Sequence, residues 1–83
     1  MSDPVSWFLI EPGWRVMDAD GEEIGKVVEV LGDQERDIFD GLAVSRGVLD
    51  STLYLPAERV DRIEMDLVHS DVQDSSALDP YDS

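Results

Sequence analysis

The chain has 83 residues, 20 of them acidic against 6 basic, a net charge of -14 and no cysteine. So negative a field repels phosphate backbones and anionic lipid, which excludes direct nucleic-acid binding and attachment to acidic membranes. Without thiols there are no disulfide staples and no thiolate metal sites, a composition that fits a reducing compartment.

Residues 1–6 are a polar start in which Pro4 restricts Asp3. Trp7-Phe8-Leu9-Ile10 follows, the densest apolar run of the sequence, closed by Glu11-Pro12-Gly13. Four consecutive apolar residues do not fit a strand with one wet face. The run either covers an open end or edge of the fold, burying both its faces, or stands exposed as a patch that docks a partner or a second copy. Trp14, directly before the first strand, either closes the bottom of the fold or joins Trp7 in a docking surface.

Residues 15–31 hold the scheme that the rest of the chain repeats. Val16-Met17 and residues 24–31 read as strands joined by a polar turn over 18–23, where Gly21 can take the positive φ of a tight hairpin and the flanking acids stay in water. Strict alternation in the second strand would place Lys26 on the apolar face with Ile24, Val28 and Val30. A bulge near Gly25 resolves the conflict, turning Lys26 outward and bending the strand.

Residues 32–37 form a charged turn, with Phe39 after it as a plug for the end of the fold. Residues 41–45 read as a strand with Leu42 and Val44 inward, Ala43 and Ser45 outward. A turn at 46–50 leads to a strand at 52–55 with Leu53 and Leu55 inward. Pro56, which cannot donate into a ladder, stops it. A single helical turn then runs from Pro56 to Val60 with the proline at its first position, returning Val60 and Ile63 to the core. A last hairpin, 62–65 with 67–69, turns around Glu64 to Asp66. From Ser70 the apolar pattern stops. Residues 70–83 hold four aspartates, four serines and no Lys or Arg, and read as a disordered acidic tail behind a domain of residues 1–69. The fold class is all-β, a small barrel of about five to six short antiparallel strands with one short helical turn.

Val16-x-Asp18-x-Asp20-Gly21-Glu22-x-Ile24-Gly25-Lys26-Val27, followed by Leu53-Tyr54-Leu55-Pro56-Ala57-Glu58-Arg59-Val60, resembles the PRC-barrel family. That family includes the cytoplasmic domain of the photosynthetic reaction-centre H subunit and the C-terminal domain of the ribosome-maturation factor RimM. The likeness covers residues 14–69 and implies a small β-barrel that acts as a docking module, with no catalytic residue to carry over. The separate N-terminal domain of RimM-like proteins and the membrane helix of the H subunit have no counterpart in the sequence, which weakens a photosynthetic role and leaves a ribosome-maturation-like accessory factor only as an alternative. The acidic composition is compatible with the stand-alone members of archaeal cell division.

Asp18, Asp20 and Glu22 invite a calcium-loop reading, but an EF-hand needs glycine at its sixth position and a bidentate acid at its twelfth. Counted from Asp18, Gly21 falls fourth and Glu29 lands inside a strand, so the acids are read as a solvated turn. His69, the single histidine, is followed by Ser70 and Asp71, yet neighbours on a strand point to opposite faces. It is read as a surface residue at a strand end. Arg59 and Arg62 interleave with Glu58 and Asp61, and Arg36 lies in an acidic loop; all three are read as local ion pairs. No catalytic residue, metal site or cofactor is expected.

Two functions remain. One is a non-enzymatic adaptor that binds a protein partner with a basic surface through Trp7, Phe8, Leu9, Ile10 and Trp14. The other is a self-associating structural or stress-related protein, since a chain this small buries only about 60–65% of its unfolded surface and gains from a homodimer interface. No run approaches the ~18 apolar residues of a membrane span, and no basic region precedes the apolar patch as in a signal peptide, so the expected location is the cytoplasm.

Overall fold

The structure is a computed structural model that describes residues 7–47, 52–73 and 77–81. Its seven strands are β1 (Arg15–Met17), β2 (Glu23–Asp33), β3 (Ile38–Ser45), β4 (Thr52–Pro56), β5 (Val60–Glu64), β6 (Leu67–Ser70) and β7 (Asp79–Pro80). They form one sheet in the order β5-β6-β1-β2-β3-β4-β7, curled into a half-barrel. All neighbours are antiparallel except β1 and β6, which run parallel, with Val16 opposite Val68. Among the described residues the helical content is two 3₁₀ turns, Trp7–Leu9 and Ala57–Arg59.

The β1–β2 hairpin forms as its turn chemistry dictates. Gly21 sits at φ 85°, and the Asp18 carboxylate closes the turn by accepting the Asp20 and Glu22 N–H groups, both at 2.9 Å. The expected bulge is present. Val16 pairs with Gly25 but Met17 with Glu23, so Ile24 is the extra residue. Ile24 and Gly25 are both buried and Lys26 turns to solvent. The phase then differs from the expected one. Val27 points into the core, and a second irregularity beside Val28 leaves that residue 46% exposed before Val30 swings back against the core.

β2 and β3 are longer than their apolar patterns, which confines the turn expected over 32–37 to residues 34–37. Ala43, expected outward, is fully buried. Tyr54 lies directly across from it on β4, and a side chain on neighbouring Gly41 would meet the Tyr54 ring within 3.0 Å, so the tyrosine covers this part of the outer face. Phe39 lies inside β3 rather than before it. Pro56 ends β4 one position ahead of the 3₁₀ turn, and Val60 and Ile63 pack against the core as expected. The β5–β6 hairpin turns on Met65-Asp66, with Asp66 at φ 69°. Residues 48–50 of the expected turn at 46–50 lie outside the described residues.

The largest correction concerns the segment after residue 69. Ser70 ends β6, Val72 is fully buried, Leu78 is 8% exposed, and Asp79–Pro80 pairs with Leu53 and Tyr54 of β4. The Val72 carbonyl accepts the Ala19 N–H at 2.7 Å, and the Tyr81 N–H donates to the Thr52 carbonyl at 2.8 Å. A composition dominated by Asp and Ser conceals these isolated anchors, the aliphatic side chains of Val72 and Leu78. The core comprises Val16, Val27, Leu42, Val44, Leu55, Val68 and Val72, ringed by Ile10, Trp14, Ile24 and Leu78. Each such side chain contributes about 1.5–3 kcal/mol by leaving water.

Two substitutions test this packing. Leu78→Ala should lower unfolding free energy by about 2–3 kcal/mol in urea titration, and a loss below about 0.5 kcal/mol would show that the segment is not part of the core. Gly25→Ala should cost about 1–3 kcal/mol, since its methyl group would collide with the Ser45 carbonyl of β3.

Candidate docking site

The N-terminal 3₁₀ turn divides the apolar run between two environments. The Ile10 N–H donates to the Trp7 carbonyl at 3.1 Å, and at three residues per turn Trp7 and Ile10 fall on one side while Phe8 and Leu9 turn away. Ile10 is buried in the core, Trp7 is half-buried, and Phe8 and Leu9 are 43% and 51% exposed. Trp7 is held from three directions. Its ring stacks on Phe39 with centroids 5.1 Å apart, its edge meets Phe8 at 4.7 Å, and its Nε1–H donates to Asp37 Oδ1 at 3.0 Å. Asp37 is placed for this by its left-handed backbone, φ 54°, at the end of the β2–β3 turn.

Trp14 belongs elsewhere. It is buried in the core, and its carbonyl accepts the Val27 N–H at 2.9 Å, prolonging the β1–β2 pairing. Of the five residues expected to form one surface, Trp7, Phe8 and Leu9 are therefore together at the open end of the barrel, while Ile10 and Trp14 face the interior.

Beside Trp7 lies a groove of about 290 Å3 that also involves Phe39, Ala57, Val60 and Ile63, with Asp61 and Arg62 among its lining residues. Two strands, β3 and β5, and the second 3₁₀ turn meet the N-terminal segment here, bringing together Phe39, expected to plug the end of the fold, and Val60 and Ile63, expected in the core. Their apolar character gave the signal, and only the fold shows that they stop short of full burial.

The charged residues pair both across the sheet and with sequence neighbours. In place of the expected Glu58 and Asp61, Arg59 pairs with Asp71 at 3.0 Å, brought alongside by the β5–β6 return, and Arg62 with Glu64 at 3.5 Å, two positions along the same strand. Arg36 does pair locally, with Asp33 at 3.7 Å. His69 Nε2 lies 2.7 Å from Glu64 Oε1, the Ser70 hydroxyl donates to the Met17 carbonyl at 2.8 Å, and Asp71 is engaged by Arg59. These three neighbours thus face three different partners. In the 18–23 turn the Asp18 carboxylate is occupied by backbone N–H groups, and among the described residues no three His, Asp or Glu side chains converge to hold a metal ion.

A family model for the PRC-barrel domain matches residues 13–73. The chain belongs to the PRC-barrel family. Against proteins of curated function the sequence has no match. The matched PRC-barrel span takes in β1 to β6 and the buried Val72, but Trp7, Phe8 and Leu9 precede it, and Leu78 and β7 follow it. Of the exposed large apolar residues of this PRC-barrel protein, Phe8 and Leu9 lie outside the matched span, while Val28, Ile38 and Met65 lie within it.

On the outer face of the barrel, the Tyr54 hydroxyl donates to the Asp40 carbonyl at 2.9 Å and lies 3.3 Å from its carboxylate, with Tyr81 stacked alongside at 6.4 Å. Partial desolvation raises the Tyr54 pKa above the ordinary phenol value, aided by the Asp40 charge and hydrogen bond and by Glu58. The fold favours the neutral phenol. Its contribution to stability is complete below pH of about 10 and is lost as pH rises through the elevated folded-state value. Tyr54→Phe should cost about 1 kcal/mol at pH 7 through the lost hydrogen bond, and the gap from wild type should close in urea titrations above the phenol pKa. A gap that stays constant with pH would contradict this account.

Proposed function

We propose that this PRC-barrel chain is a non-enzymatic docking module that binds a protein partner with a basic surface and works in the cytoplasm. The observation that carries the reading is the N-terminal turn: Phe8 and Leu9 present two large apolar side chains to solvent, while Trp7 and Ile10 anchor the same turn to the barrel. Aromatic residues held rigidly in a partly dry setting are the kind that dominate binding energy at interfaces. The surrounding charge of -14 attracts a basic partner and speeds its approach.

The non-enzymatic part of the reading is supported by the divergence of His69, Ser70 and Asp71, since nucleophilic catalysis needs a base within hydrogen-bond reach of its nucleophile. For location, the support is that no helix among the described residues is long and apolar enough to cross a membrane, together with the cysteine-free composition. Self-association is the weaker reading. Each copy carries the same strong negative charge, and that repulsion opposes a homodimer at low salt.

Affinity capture from native lysate with the full chain, at low and at high salt, tests the proposal. The control is a Phe8→Ser/Leu9→Ser double variant, which spares the packed Trp7. A protein with a basic surface should be retained at low salt and reduced at least about tenfold by the variant. Equal capture by both chains would refute the docking surface, and recovery of the chain alone would favour self-association.

A further inference from the structure

We infer that the groove beside Trp7 receives an apolar side chain from a partner segment rich in Lys and Arg, a statement that rests on the docking reading and names its partner class. Five of the seven residues that line the groove are apolar, Trp7, Phe39, Ala57, Val60 and Ile63, and Asp61 and Arg62 complete it. At about 290 Å3 it falls at the small end of ligand pockets, a size for one side chain rather than a cofactor. It continues into the exposed Phe8 through the Trp7 edge contact.

Charge selects what flanks that side chain. Asp37 holds the Trp7 indole, and Asp61 lines the groove. The arginines closest in sequence are already committed, Arg36 to Asp33, Arg59 to Asp71 and Arg62 to Glu64. Among the described residues no ion pair includes Asp37 or Asp61. An incoming cation therefore meets acceptors that cost no existing ion pair, whereas an acidic segment meets Asp37, Asp61 and the chain's overall charge of -14. A second copy, at -14, is disfavoured as occupant for the same reason.

The test is fluorescence anisotropy of the full chain with three labelled amphipathic peptides of one pattern: leucine with lysine, leucine with glutamine, and leucine with glutamate. Two chain variants accompany it, Ala57→Phe to fill the groove and Asp61→Lys to reverse charge beside it, each checked for a native circular dichroism spectrum. The leucine–lysine peptide should bind at least about tenfold tighter than the glutamine version, and the glutamate version should not bind. Each variant should weaken the leucine–lysine complex about tenfold, and salt should weaken it further. If Ala57→Phe fails to fold, Ala57→Met fills less of the same space and replaces it. Leucine–lysine binding that survives groove filling would reduce the interaction to diffuse charge attraction and overturn the inference, as would equal binding of the glutamine or glutamate peptide. Absence of all binding also overturns it. The docking reading itself then stands or falls separately, on whether the Phe8/Leu9 variant loses its captured protein.

Discussion

The close passage of β2 over β3 at Gly25 is the constraint on which the rest of the barrel depends. No side chain fits between Gly25 and the Ser45 backbone, so the two strands approach here as only glycine permits. With the ladder held this tightly, the extra residue Ile24 is accommodated as a bulge and the strand bends. Two further irregularities along the same eleven-residue strand continue the bend. A flat sheet of these short strands would bury one face weakly. The curved one wraps Val16, Val27, Leu42, Val44 and Leu55 into a common interior.

Curvature leaves an open end, and aromatic residues fill it. Trp7 lies flat over Phe39, and the backbone at Gly32 passes beneath the indole, where an added side chain would come within 3.1 Å of the ring. The stack is anchored by a hydrogen bond to Asp37, thirty positions away. Since the turn carrying Trp7 also carries Phe8 and Leu9, closing the barrel and exposing an apolar patch are consequences of one local conformation. Every substitution intended to probe the patch must respect that link.

Much of the fold was legible from local chemistry. Asp18 and Gly21 specify the first hairpin, Pro56 ends β4, and Lys26 on an apolar strand betrays the bulge. What escaped reading depends on distance. The parallel pairing of β1 with β6 leaves no mark in either segment, because Arg15–Met17 is too short to show a preference for its neighbour. Ala43 is buried by Tyr54 from another strand. Val72 and Leu78 were masked by the aspartates and serines around them. For the site, the run Trp7-Phe8-Leu9-Ile10 announced itself as unusual, and the structure divides it: Trp7 and Ile10 pack against the barrel while Phe8 and Leu9 are exposed. A 3₁₀ turn, unlike a strand, lets alternate pairs serve the core and the surface.

The parallel contact between β1 and β6 governs the order in which the molecule can be assembled. β2, β3 and β4 are successive hairpin neighbours and can pair as soon as their turns form. β1 is flanked on its other side by a strand some fifty residues later, Val16 against Val68. That half of the interior stays open until the chain has closed its longest loop. Pairings of large sequence separation form slowly, because loop entropy is lost before contacts compensate for it. During synthesis β1 emerges well before β6, and one of its edges stays unpaired until that late strand arrives.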